Sequence, residues 1–274
     1  MLDLEKISEM FVELSNEVIK STKKLRGRPE GRKIVGRNPA GEYTKFIDKI
    51  AEDTTLSFIR EYFKDVRILS EESGEIIIGK KPNFTILIDP LDGSSNASRG
   101  IAFYCFSAAI ATGNTLDNII YGFVRDLVSG DVFEAIKGQG AYWNGDKMKP
   151  SHVKSLKDAM ICLYAYNTDK STIMSLISAV KKIRLLGAVA LELCYVGCGA
   201  YDALVDVRGA LKVTDIAAAK LIVEESGAII RNGNGSPMNY KIDLSEKVSV
   251  IAASTPQLIE EILSLLKRGT VNVK

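Results

Sequence analysis

The sequence lacks a long hydrophobic run, a marked excess of one charge and a cluster of cysteines and histidines. Its longest apolar stretch, residues 101–111, is well short of the roughly 20 residues that a membrane-spanning helix needs. The 36 basic and 34 acidic residues nearly cancel, whereas nucleic-acid-binding domains normally carry a basic excess. We therefore expect neither a membrane nor a nucleic acid as a partner.

The four cysteines are dispersed, and His152 is the single histidine. None of the cysteines forms a CxxC pair, although Cys194 and Cys198 are spaced to share one helical face. A zinc site would need more such ligands nearby, so small buried thiols are the better interpretation. The N-terminus carries acids where a signal peptide has basic residues, and we expect a cytoplasmic location.

Apolar patterns predict a dense mixture of helices and strands without repeats or linkers. Apolar residues recur every three or four positions near the N-terminus and again in about 43–64, which is helical spacing. Residues 27–42, rich in glycine, proline and arginine, are predicted to form a loop. The pattern favours a layered α/β or α+β architecture. We expect a single domain, residues 1–274, with approximate halves 1–150 and 151–274.

The segment DPLDGSSN, residues 89–96, is the strongest functional signal. It follows the apolar run FTILI, so Asp89 and Asp92 are expected to be buried, where two like charges in one turn repel each other. Divalent cations would remove that repulsion. Because all candidate ligands are oxygen atoms, Mg²⁺ fits, and Mn²⁺ could substitute for it. Gly93 allows close backbone approach, and the two serines after it offer hydroxyl and N–H groups to an anion.

Three further acids lie where they could join this turn. Glu71 follows the predicted strand VRILS, Asp215 opens the predicted helix TDIAAAK, and Asp48 lies in the second predicted helix. Each alone would most simply be a solvated loop acid, a helix cap or a surface residue. Sites in open sheets form beyond the carboxyl ends of strands, so Glu71 could converge with Asp89 and Asp92.

These motifs, in this order, resemble those of the lithium-sensitive inositol monophosphatase and fructose-1,6-bisphosphatase superfamily, most closely its archaeal dual-activity branch. The resemblance rests on EES at 71–73, DPLDGSSN at 89–96, TDIAAAKLIVEESG at 214–227 and the turn GQGAYWNG. It implies an α+β fold, a layered αβαβα sandwich with mixed sheets between helix layers. It also implies a metal-dependent sugar phosphatase that forms a homodimer or homotetramer.

The resemblance further implies how two or three metal ions are held. One metal would be bound by Glu71, Asp89 and the Leu91 carbonyl. A second would be bound by Asp89, Asp92 and Asp215. A third would lie near Glu71 and be held through water.

Catalytic and phosphate-binding roles follow from the same resemblance. Asp48 and Ser94 would orient the attacking water and help to remove its proton, and Glu71 belongs to the catalytic set through the third metal. The backbone of Gly93, Ser94 and Ser95 would contact the phosphate. The implied reaction is hydrolysis without a covalent intermediate.

The sequence departs from the superfamily pattern near the last metal ligand. Thr214 stands where the inositol phosphatases usually have Trp, and Arg208 stands where they usually have an acid that contacts inositol. An arginine suits the second phosphate of a sugar bisphosphate better than a carboxylate does. This favours fructose-1,6-bisphosphate as the substrate, with Arg184 and Lys212 as further candidates for the distal phosphate.

The basic segment 27–42 is a candidate lid over the site. Its four glycines would permit closure, with Arg37 facing the attacking water. A mobile surface loop without this role is the alternative.

Three other functions stay open. The same fold could act on a nucleotide, such as a 3′,5′-bisphosphate nucleotide or NADP. A haloacid-dehalogenase-type phosphatase would need Asp-x-Asp, whereas this sequence has Asp-x-x-Asp at residues 89–92. A metal-dependent binding protein without turnover is the third.

Overall fold

The computed structural model describes residues 2–168 and 170–271, with the backbone alone at 171–172 and 268–271. No helix in these ranges combines the length and the hydropathy that crossing a membrane requires. The α-helices are α1 (Leu4–Thr22), α2 (Phe46–Tyr62), α3 (Ser94–Arg99), α4 (Lys170–Ala179), α5 (Val189–Gly197), α6 (Val213–Ser226) and α7 (Pro256–Val271).

The strands form two large sheets and one small hairpin. They are β1 (Ile34–Arg37), β2 (Tyr43–Lys45), β3 (Val66–Ser70), β4 (Gly74–Ile78), β5 (Thr85–Asp92), β6 (Cys105–Ala111), β7 (Ile119–Asp126), β8 (Val132–Ile136), β9 (Gly140–Trp143), β10 (Asp146–Lys147), β11 (Met160–Leu163), β12 (Lys182–Arg184), β13 (Ala203–Lys212), β14 (Ile229–Asn232) and β15 (Lys247–Ala253). The eight-stranded sheet has the order β10-β9-β8-β7-β6-β5-β3-β4, and the five-stranded sheet has the order β12-β11-β13-β15-β14. Within the larger sheet β3 and β5 run parallel, so their carboxyl ends lie side by side.

Alternating side chains on the strands divide the protein into five layers. Ile86 and Ile88 of β5 pack with α1 and α2, whereas Leu87 points to the other face and packs with α5 and α6. On β13, Leu204 joins the cluster that contains α5 and α6, and Val205 packs with α4 and α7. This two-residue alternation places helices on both faces of each sheet. The predicted αβαβα sandwich of α+β class is therefore confirmed.

Two local predictions near the N-terminus were wrong. Residues 34–37, within the predicted loop 27–42, form β1, which pairs with β2 in an antiparallel hairpin. The second helix begins at Phe46 rather than near residue 43, because residues 43–45 belong to β2. The larger sheet ends at Lys147 and the smaller one begins at Met160. Their assignment to one domain with halves 1–150 and 151–274 stays a prediction.

Gly122 of β7 allows α6 to pack unusually close to the larger sheet. A Cβ atom at this position would lie 2.6 Å from the backbone oxygen of Ala218 in α6. We expect Gly122→Ala to lower the free energy of unfolding by about 1–3 kcal/mol, because the helix backbone must move to relieve the overlap. Denaturant unfolding would measure the change. Gly36→Ala is the matched control, since nothing lies within 4 Å of its added Cβ, and an equal effect there would contradict the packing explanation.

Candidate active site

The parallel pair β3 and β5 brings the first acids of the site together. Glu71 directly follows the last residue of β3, and Asp89 lies near the end of β5. The pairing of β5 with β6 shifts register between Asp89 and Asp92, so the strand bulges there. A bulge redirects side chains at the end of a strand. The segment predicted as a turn is therefore the irregular end of a strand that continues to Asp92.

Asp215 reaches the same point from the other half of the chain. It lies in the first turn of α6, where its Oδ2 accepts a hydrogen bond of 2.8 Å from the Lys212 backbone N–H. Glu71, Asp89 and Asp215 each place a carboxylate oxygen within 4.8 Å of the other two. Acids from three separate elements thus surround a space of the size that a metal ion occupies.

Asp92 and Leu91 complete this group. The Oδ2 atom of Asp92 accepts a 2.8 Å hydrogen bond from the Ala190 N–H in the first turn of α5. Leu91 is buried, and its N–H donates to Asp89 Oδ1 over 3.0 Å. Both residues line the same cleft as Glu71 and Asp215. The carbonyl of Leu91 as a ligand stays a prediction.

Crowding of these carboxylates without a cation is electrostatically unfavourable. Burial, followed by the charge of Glu71, raises the pKa of Asp89 well above its usual range. Burial raises the pKa of Asp92 to about 7 and that of Asp215 to about 8. Divalent cations would remove this cost, because they favour the ionised carboxylates. The all-oxygen donor set matches a hard cation of the Mg²⁺ class.

Asp48 and Ser94 lie beside the acid cluster. Asp48 is in the first turn of α2 and is 7% exposed. Burial raises its pKa, while Lys45 and the nearby Ser94 hydroxyl oppose that rise. Ser94 begins α3 directly after Gly93, whose φ of 88° is in the left-handed region that favours glycine. The two residues predicted to act on the attacking water are thus neighbours in space.

Lys45 is a site residue that sequence reasoning missed. Its Nζ lies 3.1 Å from Ser94 Oγ, 3.3 Å from Ser95 Oγ and 3.9 Å from Asp48 Oδ2. The sequence did contain one indication. Lys45 precedes Asp48 by three residues at the start of a helix, and this spacing could bring the two side chains together. It places a cation beside both serines of the DPLDGSSN segment.

The cleft has a volume of about 340 Å³ and contains Arg208 on one wall. The guanidinium of Arg208 lies against the rings of both Tyr164 and Tyr166, 4.5 and 4.3 Å from their centroids. It also forms hydrogen bonds of 2.9 and 2.5 Å with the fully buried carboxylate of Asp206. Arg208 therefore faces the predicted substrate region but is already paired with an acid.

Glu192 is a second residue that the sequence reasoning missed. Although fully buried in α5, it accepts hydrogen bonds from the Tyr164 hydroxyl (2.6 Å) and from the N–H groups of Leu186 (2.8 Å) and Gly187 (3.1 Å). These bonds satisfy a carboxylate that would otherwise be costly to bury. They hold the wall of the cleft in place.

The other two predicted cations, Lys212 and Arg184, do not line the described cleft. Lys212 is nearly buried and pairs with Glu42 and, over 2.7 Å, with Glu71, so it neutralises a predicted metal ligand instead of lining the cleft. Arg184 is exposed and donates to the Ile183 carbonyl. Neither residue lines the described cleft, and their role as distal-phosphate contacts stays a prediction.

Arg37 stays within its own hairpin. It donates to the Gly41 carbonyl over 2.7 Å and to the Tyr43 hydroxyl over 2.9 Å, and it stacks on the Tyr43 ring. Closure of this segment and an approach of Arg37 to the attacking water stay predictions.

Comparison with known proteins places this geometry in context. A profile of the inositol monophosphatase family matches residues 3–270. A fructose-1,6-bisphosphatase/inositol-1-monophosphatase of Methanothermobacter thermautotrophicus is 36% identical over 265 residues, which cover 93% of this chain and 95% of that protein. A bifunctional NADP phosphatase/NAD kinase of Methanococcus maripaludis is 35% identical over 267 residues, covering 90% of this chain and 47% of that protein.

A solved structure shows the same overall arrangement. The crystal structure of an inositol monophosphatase–fructose 1,6 bisphosphatase superposes with a TM-score of 0.85 and is 32% identical in sequence. The match covers 94% of this chain and 98% of that structure. The similarity thus extends over nearly the whole of both chains.

Proposed function

Because this chain belongs to the inositol monophosphatase family, we propose that it is a metal-dependent phosphomonoesterase that hydrolyses fructose-1,6-bisphosphate and inositol-1-phosphate by direct attack of water. The main supporting observation is the meeting of Glu71, Asp89 and Asp215 within 4.8 Å of one another. The raised pKa values of Asp89 and Asp215 support a need for positive charge at this point. A phosphate bound by cations there would supply the remaining ligands.

The proposal assigns ligands to two or three cations. Glu71, Asp89 and the Leu91 carbonyl would hold one Mg²⁺. Asp89, Asp92 and Asp215 would hold a second, and a third would lie near Glu71 through water. Bound Mg²⁺, or Mn²⁺ in its place, would neutralise the phosphoryl oxygens and make water a stronger nucleophile.

The remaining residues act on the water and the phosphate. Asp48 has one carboxylate oxygen, Oδ1, that is buried without a hydrogen-bond partner among the described residues, so it can receive a proton. Ser94 is a neighbour of Asp48 and lines the cleft. The first N–H groups of α3 lack acceptors inside the helix, so the backbone at Gly93, Ser94 and Ser95 can contact the phosphoryl oxygens. No side chain needs to form a covalent bond to phosphorus.

The substrate assignment depends on Arg208. Its pairing with Asp206 uses Nε and Nη2, so Nη1 is not needed for that pair, and Arg208 lines the cleft. A second phosphate of a sugar bisphosphate would accept a hydrogen bond from Nη1. The ion pair of Arg208 with Asp206 has no net charge, so it also tolerates an uncharged inositol ring. This suits a phosphatase that acts on both substrates.

A nucleotide phosphatase is the second candidate. Tyr166 is 49% exposed on the wall of the cleft and presents an aromatic surface. Such a surface can stack on a nucleobase. The similarity to a bifunctional NADP phosphatase/NAD kinase is a second reason to include NADP among the substrates tested.

A cytoplasmic location and a homodimeric or homotetrameric assembly belong to this proposal. All four cysteines are free thiols, which suits a reducing compartment. A role in gluconeogenic sugar-phosphate metabolism would follow from fructose-1,6-bisphosphate hydrolysis.

A substrate panel tests the function and the role of Arg208 together. We expect Mg²⁺-dependent release of phosphate with the highest kcat/KM for fructose-1,6-bisphosphate or inositol-1-phosphate and a lower value for NADP. The double variant Asp206→Asn/Arg208→Met, which leaves no unpaired buried charge, should raise the KM for the bisphosphate about tenfold, since it loses a charge-assisted hydrogen bond. Its KM for inositol-1-phosphate should change less.

Arg184→Met is the comparison variant for this panel. It removes the other candidate arginine, which lies on the surface. An NADP preference would replace the proposed substrate with the second candidate. A selective loss of bisphosphate affinity in Arg184→Met alone would show that Arg208 had been assigned wrongly.

A further inference from the structure

Lys45 lies at the start of α2 with its side chain directed into the site. Only 25% of the side chain is exposed, and the ammonium nitrogen is 3.1 Å from Ser94 Oγ and 3.3 Å from Ser95 Oγ. It is also 3.9 Å from Asp48 Oδ2. The backbone N–H of Lys45 donates separately to the same Asp48 oxygen over 3.2 Å. The ammonium group of Lys45 and its backbone N–H thus make separate contacts in the site: the ammonium group with Ser94, Ser95 and Asp48, and the N–H with Asp48.

An ammonium group can only donate hydrogen bonds, and it has three N–H bonds. Both serine oxygens must therefore accept from Lys45, and each serine proton must point in another direction. For Ser94 the neighbouring acceptor is Asp48, whose Oδ1 has no hydrogen-bond partner among the described residues. Asp48 Oδ2, at 3.9 Å, lies within ion-pair distance of the ammonium group but beyond hydrogen-bond range. Two of the three donors are thus engaged by the serine hydroxyls, and the positive charge is held beside the Asp48 carboxylate.

We propose that Lys45 is a positioning residue for the phosphatase reaction, which sets the direction of the Ser94 hydroxyl so that it donates to Asp48 and accepts from the attacking water. This inference rests on the proposed function. In the step that it serves, water loses a proton to Ser94 Oγ, while the Ser94 proton passes to Asp48 Oδ1. The water oxygen forms a bond to phosphorus, the bond from phosphorus to the ester oxygen breaks, and the leaving alkoxide takes a proton from solvent in the cleft.

Steady-state kinetics of Lys45→Met test this role on the Mg²⁺-loaded full chain. We expect kcat to fall about 10- to 100-fold, as for loss of an oriented proton-transfer group, while KM and inhibition by inorganic phosphate change less than threefold. Lys45→Arg, which keeps the positive charge and the donors, should recover at least part of kcat. Lys49→Met is the matched control on the same helix, because Lys49 is half exposed and pairs with Asp53 outside the site. It should retain normal kcat.

A double-mutant cycle with Ser94→Ala distinguishes positioning from an independent role. If Lys45 acts through Ser94, Lys45→Met should cost less than about threefold in the Ser94→Ala background. An equal loss in both backgrounds would overturn the proposal. A tenfold rise in KM or in the phosphate inhibition constant would overturn it too, because it would make Lys45 a phosphate ligand. A kcat within twofold of the parent would do the same.

Failure of this inference is distinct from failure of the proposed function. Phosphatase activity of the parent chain and its dependence on Mg²⁺ are measured in the same experiment. A parent enzyme that hydrolyses the substrates while Lys45→Met is unaffected would contradict the positioning role alone. A parent chain without phosphatase activity would contradict both.

Discussion

Asp215→Asn should reduce Mg²⁺-dependent turnover about a thousandfold while leaving the chain folded. The substitution removes a negative charge from the cluster of Glu71, Asp89 and Asp215 and makes one proposed metal ligand a weaker donor. A thousandfold loss corresponds to about 4 kcal/mol of transition-state stabilisation. That is the magnitude expected when a divalent cation is lost or displaced, since such cations stabilise transition-state charge by several kcal/mol.

The folded state should tolerate this change. The side-chain amide oxygen of the Asp215→Asn variant can still accept the 2.8 Å hydrogen bond that the Lys212 N–H donates in the parent. The substitution also removes a carboxylate whose pKa is raised to about 8 by burial and by Glu71. We therefore expect the metal-free variant to be at least as stable as the metal-free parent.

Kinetics and calorimetry on one preparation would measure both parts of this expectation. Isothermal titration with Mg²⁺ should show weaker or fewer sites, and thermal unfolding in chelator should show an unchanged or higher Tm. Asp53→Asn is the control, because Asp53 is exposed on α2 and pairs with Lys49. Near-normal turnover of Asp215→Asn would contradict the assignment of Asp215 as a metal ligand.

The metal-free protein should lose stability as pH rises from about 4 to 8. In the folded state the pKa of Asp92 is raised to about 7 and that of Asp215 to about 8, mainly by burial, from a reference value of 3.8. Between these values the folded chain holds protons that the unfolded chain has released. Unfolding is then favoured by rising pH, because stability falls wherever the folded state binds more protons.

The expected size of this effect is large. Each unit of pKa difference corresponds to about 1.4 kcal/mol. Asp92 and Asp215 together should therefore lower the free energy of unfolding by several kcal/mol at pH 8. For a chain of this size that corresponds to a Tm lower by roughly 10 °C. In the proposed function Mg²⁺ would bind the ionised carboxylates, so the rise in Tm that it causes should grow as pH increases.

Thermal unfolding at pH 5.5 and pH 8, with chelator and with Mg²⁺, would measure this linkage. The stabilisation by Mg²⁺ should be several degrees larger at pH 8 than at pH 5.5. In Asp215→Asn the metal-free Tm should depend less on pH than in the parent. A metal-free Tm that rises steadily from pH 5.5 to pH 8 would contradict the explanation, because it would mean that these carboxylates are already ionised without cost.

Local patterns in the sequence were sufficient for the chemistry of one segment. Asp89 and Asp92 follow an apolar strand and precede Gly93, so burial, repulsion and a need for cations could all be inferred from neighbouring residues. The period-two alternation of β5 and the helical spacing of α1 likewise depend on residues close in sequence. These features are local because each is set by backbone geometry over one or two turns or by a few residues of a strand.

Contacts between distant residues could not be obtained in the same way. Lys45 looks like a surface lysine at a helix start, and its contact with Ser94 joins residues 49 positions apart. Glu192 is a single acid in an apolar helix, and its partner Tyr164 is 28 positions away. The residue types of Lys45 and Glu192 indicate only that each needs a hydrogen-bonding partner when it is buried. The packing of the layers determines which partner each residue contacts.

By itself, the sequence determined the layered class of the fold, the oxygen-donor character of the site and the place of the first acids at strand ends, because strand and helix periodicity act locally. Only the tertiary structure decided that Asp215 meets Glu71 and Asp89, that Lys212 faces Glu71 rather than the cleft, and that Lys45 lies beside Ser94. Those contacts depend on the close packing of α6 against the larger sheet and on the position of the hairpin of β1 and β2, which directly precedes α2 and so fixes where that helix starts. No short stretch of sequence contains that information.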